Sequence, residues 1–111
     1  MPNEPLKIED ITGDRAGYRI LRLSGPLIIT NLFEFQALVR GNTSPNLVLD
    51  FTDVPYIDSA GIGALVGAYV THQKDGRSLV LVGVGERLRN ALQITRVEQF
   101  FKYYPTLAEA V

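Results

Sequence analysis

The sequence contains no cysteine, and its only histidine is His72. The absence of cysteine excludes disulfide bonds, cysteine-ligated zinc and thiol catalysis. Transition-metal sites draw on several histidine or cysteine ligands, so a single histidine predicts that there is no such site. His72 lies near the end of a predicted helix, where we expect it to be solvated and favoured by the helix dipole.

The chain also lacks an excess of charge of either sign, with 11 Lys and Arg residues against 12 Asp and Glu residues and a net charge of −1. Without a basic excess, nucleic acid is not an expected partner. The longest nearly uncharged run, residues 59–73, contains glycines and is shorter than the ~20 apolar residues of a membrane span. The first residues carry no signal-peptide pattern. We therefore expect a cytoplasmic protein without direct membrane insertion.

The 111 residues are 46% hydrophobic and 21% charged, which is close to the averages of globular proteins. This length predicts one domain over residues 1–111, with residues 1–5 as a flexible N-terminus. The predicted elements follow the order β-β-α-β-α-β-α-(β)-α. That order indicates an α/β fold in which helices pack on a mixed sheet of four to five strands.

Alternating and apolar runs define the predicted elements. A hairpin is expected from residues 6–11 and 18–24, two buried strands from 46–51 and 78–83, and a short last strand from 100–103. Four helices are expected to begin at a capping-box-like Asn31–Glu34 pair, at Asp58–Ser59, at Glu86 and at Thr106. The second of them is expected to run to about Lys74.

Three groups of residues are candidates for chemistry. Asp50, Asp53 and Asp58 lie close together in the sequence and could attract Mg²⁺, but solvated loop acids and a helix cap explain them as well. The glycines of residues 83–85 lack the remainder of either nucleotide-binding motif and indicate a strand-to-helix turn. A hydrolase that uses Ser59 would need a general base, and His72 is thirteen residues downstream, too far along the same helix.

The helix that starts at Asp58–Ser59 has an unusual composition. Either of these two side chains can accept a hydrogen bond from a free N–H group of the first turn. A helical wheel directs Ile62, Leu65, Val66, Tyr69 and Val70 towards the sheet. The opposite face carries only small or uncharged residues: Ala60, Gly63, Ala64, Gly67, Ala68 and Thr71. Such a face allows a close backbone approach, and it predicts either a partner-docking surface or a packing surface for another helix of the same domain.

The segment 50–65 resembles the signature of STAS domains, in particular that of anti-sigma-factor antagonists. In that family a strand and a loop lead to Asp-Ser-(Ser/Ala/Thr)-Gly-(Leu/Ile)-Gly at a helix N-terminus, and here residues 58–63 read Asp-Ser-Ala-Gly-Ile-Gly. The resemblance extends over nearly the whole chain. Two departures are present: Ile28 stands where many relatives have an acidic residue, and Ala60 replaces a second serine.

The resemblance implies a binding protein rather than an enzyme, without a cofactor of its own. Ser59 corresponds to the serine that a partner kinase phosphorylates, with Asp58 and Gly61 supporting that site. The unphosphorylated form would bind an anti-sigma factor that is also a serine kinase of the histidine-kinase-like ATPase fold, and so release the sigma factor. A PP2C-type phosphatase would reverse the phosphorylation. The small-residue face of Ala60, Gly63, Ala64, Gly67 and Ala68 would contact the partner.

Two alternatives remain open at this point. A STAS subunit can act as a scaffold or regulatory component of a stress-signalling or lipid-transport assembly, in which case Ser59 need not be modified; Ile28 slightly favours this alternative. A small hydrolase that uses Ser59 is the other, and the lack of a usable base argues against it.

Overall fold

Five strands form one mixed sheet in a computed structural model that describes residues 4–111. The strands lie side by side in chain order: β1 Lys7–Asp10, β2 Tyr18–Ser24, β3 Asn46–Asp53, β4 Ser78–Val82 and β5 Lys102–Tyr104. β1 and β2 pair antiparallel, and all other neighbours are parallel. The predicted hairpin and the mixed α/β sheet are therefore confirmed.

Each parallel pair needs a crossover connection, and a helix supplies it in every case. The helices are α1 Phe33–Arg40, α2 Ser59–Lys74 and α3 Glu86–Ile94, and a single 3-10 turn, Glu98–Phe100, precedes β5. A short helix, α4 Leu107–Ala110, ends the chain. Among residues 4–111 no helix is long and apolar enough to cross a membrane.

The two faces of the sheet are covered differently. The larger core cluster lies on the face that carries α1, α2 and α3, and it includes Leu49 and Phe51 of β3. The opposite face buries Val48 and Val80, and the C-terminal Leu107 and Val111 pack against it. Because successive strand residues point to opposite faces, the continuous apolar run of β3 serves both clusters.

The capping box predicted at Asn31 is not formed. α1 begins two residues later, at Phe33, and no side chain caps it. The Asn31 amide instead bonds the loop that leads into the helix, accepting from Ile28 N and donating to the carbonyl oxygens of Pro26 and Glu4. Of the N-terminal segment expected to be flexible, residues 1–3 lie outside the described part of the chain, whereas Glu4 makes this contact.

His72 is not the solvated residue that its position near a helix end predicts. Its side chain is 1% exposed. The ring lies 2.8 Å from the carbonyl oxygen of Ala68 and 2.9 Å from the side-chain nitrogen of Asn42. α2 packs its last turn against the segment that follows α1, and this packing removes the imidazole from water.

Candidate functional site

The N-terminus of α2 lies at the carboxyl end of β3 and is held by Asp58. This residue has an extended backbone and its Oδ1 accepts from Gly61 N at 2.8 Å, as an N-cap does. Its Oδ2 accepts from Ile29 N at 3.0 Å. One carboxylate thus caps α2 and also binds the loop between β2 and α1.

Ser59 is the first residue of α2 and is exposed. Of the two possible capping side chains, Asp58 is the one that caps, and within residues 4–111 the Ser59 hydroxyl makes no hydrogen bond. The hydroxyl therefore points to solvent at a helix end where free N–H groups and the helix dipole favour negative charge. An added phosphate would not have to displace an existing contact.

Gly61 is required by the close packing between α2 and the loop before α1. A Cβ at this position would overlap the Leu27 carbonyl group and the side chain of Ile57. Leu27 also exchanges backbone hydrogen bonds with the other loop, donating to Tyr56 O and accepting from Asp58 N, both at 3.3 Å. The two loops and the helix start form one connected unit around Ser59.

Ile28, which stands where many relatives have an acid, lies in this unit through its backbone: its N–H donates to Asn31 Oδ1 at 3.1 Å. The next residue, Ile29, bonds Asp58 and is 63% exposed, and Phe33 at the start of α1 is 81% exposed. Neither Ile29 nor Phe33 is among the residues predicted from the sequence. The sequence does carry one signal for Phe33: it is an apolar residue of α1 that lies off the buried side of that helix.

Tyr56 lies two residues before the cap and interacts with two charged groups. Its hydroxyl donates to the Glu4 carboxylate, and the Arg87 guanidinium lies 5.0 Å from its ring centre. The hydrogen bond to Glu4, together with burial, raises the pKa of Tyr56, so the phenol stays neutral at physiological pH. Arg87, at the start of α3, therefore places a positive charge against the β3–α2 loop, which forms one side of the site.

The small-residue face of α2 lies beside α1, and the two helices enclose a groove of about 350 Å³. We call this the α1–α2 groove. Gly63 and Gly67 are exposed with open space around them, whereas Ala68 is 5% exposed and forms the floor. The groove is lined by Gln36, Val39 and Arg40 from α1 and by Ala60, Gly63, Ala64, Gly67, Ala68 and Thr71 from α2.

The orientation that the helical wheel predicts for α2 is partly wrong. The buried positions are Gly61, Ile62, Leu65, Ala68 and His72, whereas Val70 is 53% exposed. Ala68 therefore belongs to the buried side rather than to the outer face. Gly61 lies on the buried side as well, in contact with the Leu27 carbonyl group.

The acidic residues of the β3 end do not converge. Asp50 is buried, and its carboxylate accepts from the Thr52 hydroxyl at 2.6 Å and faces Arg22 Nε at 3.4 Å, whereas Asp58 is the helix cap. In the part of the chain that the structure describes, no group of three or more potential metal ligands is found. Ser59 and His72 occupy opposite ends of α2, about 20 Å apart at 1.5 Å per residue, so His72 cannot act as its base.

The family model described as STAS domain matches residues 7–110. The chain belongs to the STAS domain family. The resemblance carried by residues 58–63 is thus confirmed, and the match includes every strand and helix described above.

The STAS chain is similar to several proteins named anti-sigma-B factor antagonists. One from Listeria monocytogenes is 41% identical over 49 residues, which is 44% of this chain and 43% of that protein. The aligned segment thus spans less than half of that relative. One from Staphylococcus epidermidis is 27% identical over 93 residues, covering 81% of this chain and 84% of the relative.

Solved structures share the fold. An anti-sigma factor antagonist from Mycobacterium paratuberculosis superposes with a TM-score of 0.81 at 22% identity, covering 95% of this chain and 90% of that one. The antagonist SpoIIAA in its unphosphorylated form has a TM-score of 0.73 at 18% identity, covering 95% and 91% of the two chains. A sulfate transporter family protein from Wolinella succinogenes has a TM-score of 0.72 at 25% identity, covering 85% and 81%.

Proposed function

We propose that this STAS domain is a cytoplasmic anti-sigma factor antagonist that is switched by phosphorylation of Ser59. The unphosphorylated form binds an anti-sigma factor that is also a serine kinase, and the sigma factor is released. The observation that carries the proposal is the exposed Ser59 hydroxyl, free of hydrogen bonds to residues 4–111, at a helix end that Asp58 already caps. The names of the relatives from Listeria and Staphylococcus support the same function.

The proposed modification is a phosphoryl transfer from ATP of the partner. Ser59 Oγ forms a bond to the γ-phosphorus as the bond to the β,γ-bridging oxygen breaks, ADP leaves, and a base of the kinase takes the serine proton. The product carries about −1.5 to −2 charges at pH 7. A PP2C-type phosphatase would hydrolyse it and restore the hydroxyl.

The added charge is expected to act on the partner complex and not on the fold. The helix N-terminus favours the charge within the domain. At the interface, the phosphate would lie next to the half-buried Asp58, whose carboxylate accepts from the backbone N–H of the exposed Ile29. A partner surface shaped for a hydroxyl and apolar groups would have to desolvate that charge, which weakens binding.

The α1–α2 groove extends the proposed docking surface away from Ser59. The exposed Gly63 and Gly67 permit a partner backbone to approach closely, and no acidic residue lines the groove among the residues that the structure describes. Ala60 and Ala64 form the walls and Ala68 the floor. We place the partner contact on the exposed members of this set.

The test is the intact mass of the protein after incubation with ATP and each candidate anti-sigma kinase of its own genome. Wild type is expected to gain one phosphoryl group, and Ser59→Ala is expected to gain none. Loss of the added mass after phosphatase treatment indicates that the added group is a phosphate ester. A wild-type protein that binds such a kinase but is never modified at Ser59 contradicts the switch.

A second candidate function is a regulatory or scaffold module of a larger assembly. The observation that favours it is the structural match to the sulfate transporter family protein at 25% identity. This candidate expects that Ser59→Asp and Ser59→Ala bind the partner as wild type does. Equal affinities of the three proteins for the isolated partner would support it against the antagonist.

A further inference from the structure

His72 is a buried ionisable side chain that the proposed function does not use. Both ring nitrogens have partners: Nδ1 lies 2.8 Å from the carbonyl oxygen of Ala68, and Nε2 lies 2.9 Å from Asn42 Nδ2. The side chain is 1% exposed, and Asn42 is 2% exposed. The pair is therefore isolated from solvent.

Backbone groups determine which atoms of this pair carry hydrogen. The Ala68 carbonyl can only accept, so Nδ1 of His72 must be protonated. Asn42 Oδ1 accepts from the N–H of Ser44 at 3.1 Å, and Asn42 Nδ2 donates to the Ser44 carbonyl oxygen at 3.2 Å. This fixes the orientation of the amide with its nitrogen towards the imidazole. Nε2 of His72 must therefore accept, and only the neutral ring satisfies every atom.

The charges around the ring also disfavour its protonation. Burial is the main cause that lowers the pKa of His72, whereas the hydrogen bond to the Ala68 carbonyl oxygen acts against it. The charge of Arg77, whose guanidinium donates to the Asn42 carbonyl oxygen, lowers the pKa further. Asp75 acts in the opposite direction, but its carboxylate accepts from Arg77 at 2.7 Å.

The remaining neighbours bring no negative charge. Lys102 of β5 lines the same small cavity beside the ring, together with Ser78 of β4 and Tyr69 of α2. The segment after α1 contributes only the uncharged Asn42 and Ser44.

The pair joins the ends of the two helices that form the α1–α2 groove. Asn42 follows α1 directly after its C-cap, Gly41, and His72 lies in the last turn of α2. The groove at this end is lined by Arg40 of α1 and by Thr71 of α2. In the chain, Arg40 lies two residues before Asn42, and Thr71 directly precedes His72.

We propose that the His72–Asn42 pair is a proton-sensitive lock that fixes the spacing of α1 and α2, so that protonation of His72 widens the α1–α2 groove. A proton on Nε2 would place two donors face to face. Asn42 cannot turn its amide over without losing both bonds to Ser44, so the helix ends separate instead. The lock goes beyond the proposed function and holds whichever protein the groove receives.

The test uses NMR of the full chain, in which the ring signal is unambiguous because His72 is the only histidine. The ring Hε1 shift and the backbone amide shifts of Arg40, Gly67 and Thr71 are followed from about pH 8 to about pH 4, a range that extends well below the ordinary histidine pKa. The amides are expected to move with the midpoint of the ring, and that midpoint is expected below the ordinary value. Groove amides that stay constant while the ring titrates would overturn the lock, and so would a ring that shows no titration over the whole range.

Two variants test the coupling itself. Asn42→Ala removes the bond, so its groove amides should no longer follow the ring, and His72→Gln cannot titrate, so its groove should be independent of pH. Ser44→Ala is the matched control, because both bonds of Ser44 to Asn42 use its backbone. It should behave as wild type. Far-UV circular dichroism identifies any variant that is unfolded. A folded Asn42→Ala or His72→Gln protein whose groove amide shifts still change with the wild-type midpoint would refute the lock.

Discussion

Gly61 lies directly against the carbonyl group of Leu27, and the space between helix and loop cannot hold a Cβ. Gly63, two residues later in the same helix, has no heavy atom within 4 Å of the corresponding position apart from those of its chain neighbours and of the adjacent helix backbone. The same substitution at these two glycines therefore has opposite expected effects. A comparison of the two substitutions therefore distinguishes the effect of close packing at Gly61 on stability from the general preference of a helix for alanine over glycine.

Gly61→Ala should lower the free energy of unfolding by about 1–3 kcal/mol, the usual cost of overpacking. Gly63→Ala should raise it by up to about 1 kcal/mol, because alanine is the better helix former and nothing opposes it. Urea unfolding followed by circular dichroism measures both. A Gly61→Ala protein as stable as Gly63→Ala contradicts the close contact.

Asp58→Ala should lower the free energy of unfolding by about 1–2 kcal/mol, since the cap of α2 and the bond to Ile29 are both lost. Asp58→Asn keeps an acceptor oxygen for the cap and should lose less. Ser59→Ala serves as the control, because the Ser59 hydroxyl has no hydrogen bond to the described residues, and should unfold as wild type does. A larger loss in Ser59→Ala than in Asp58→Ala would mean that Ser59, and not Asp58, caps the helix.

Replacement of Ser59 tests the proposed switch. Ser59→Ala should bind the anti-sigma factor with the affinity of the unphosphorylated wild type. Ser59→Asp should stay folded and bind at least about tenfold more weakly, which corresponds to about 1.4 kcal/mol. Isothermal titration calorimetry gives the affinities and thermal melts give the stability. Equal affinities of wild type and Ser59→Asp for a partner that does bind would argue for the scaffold module.

Gly67→Glu tests whether the α1–α2 groove receives the partner. The position is exposed and open, so the fold should be retained, and helix propensity should improve. A bulky charge in a close contact should nevertheless weaken binding by about tenfold or more. Gly67→Ala is the matched control for the loss of glycine alone. Normal binding by Gly67→Glu would exclude this part of the groove from the interface, and unfolding would mark it as internal packing.

Asp10 provides a prediction of pH dependence. Hydrogen bonds from the hydroxyl and backbone N–H of Thr12, at 2.6 and 3.0 Å, lower the pKa of Asp10, and Arg19 at 3.0 Å adds to this. A carboxyl whose pKa is lowered by folding stabilises the protein above its unfolded pKa of about 3.9, and this contribution is lost as the pH falls. Asp10 is half-exposed, so the effect should be small.

The measurement compares wild type with Asp10→Asn in urea from about pH 6 down to pH 3, across the ordinary pKa of aspartate. The difference in the free energy of unfolding should shrink as the pH falls. A difference that stays constant would mean that the charge of Asp10 contributes nothing.

The strands and the start of α2 could be predicted from the sequence because local patterns determine them. β2 alternates, β3 and β4 are apolar runs between turns, and Asp58 is both an N-cap and part of the signature segment. β4 is followed by Gly83, whose positive φ suits the predicted strand-to-helix turn. Each of these signals lies within a few residues of the element that it predicts.

The incorrect predictions share a different cause. α2 is apolar or small on nearly every side, so its periodicity indicates no sharp direction and wrongly places Val70 in the core. The burial of His72 is not visible in the sequence because its partner, Asn42, is thirty residues away in the chain. The exposure of Phe33 depends on how α1 packs on the sheet, and only the tertiary structure provides that packing.

The placement of α4 has a practical consequence for how the molecule is attached to a surface or to a dye. Val111 packs on the sheet face opposite α1 and α2, whereas Glu4 contacts Asn31 and Tyr56 beside the Ser59 site. A tether at the C-terminal end therefore leaves Ser59 and the groove accessible, and one at the N-terminal end crowds them. Binding measured on a sensor chip should accordingly depend on which end is immobilised.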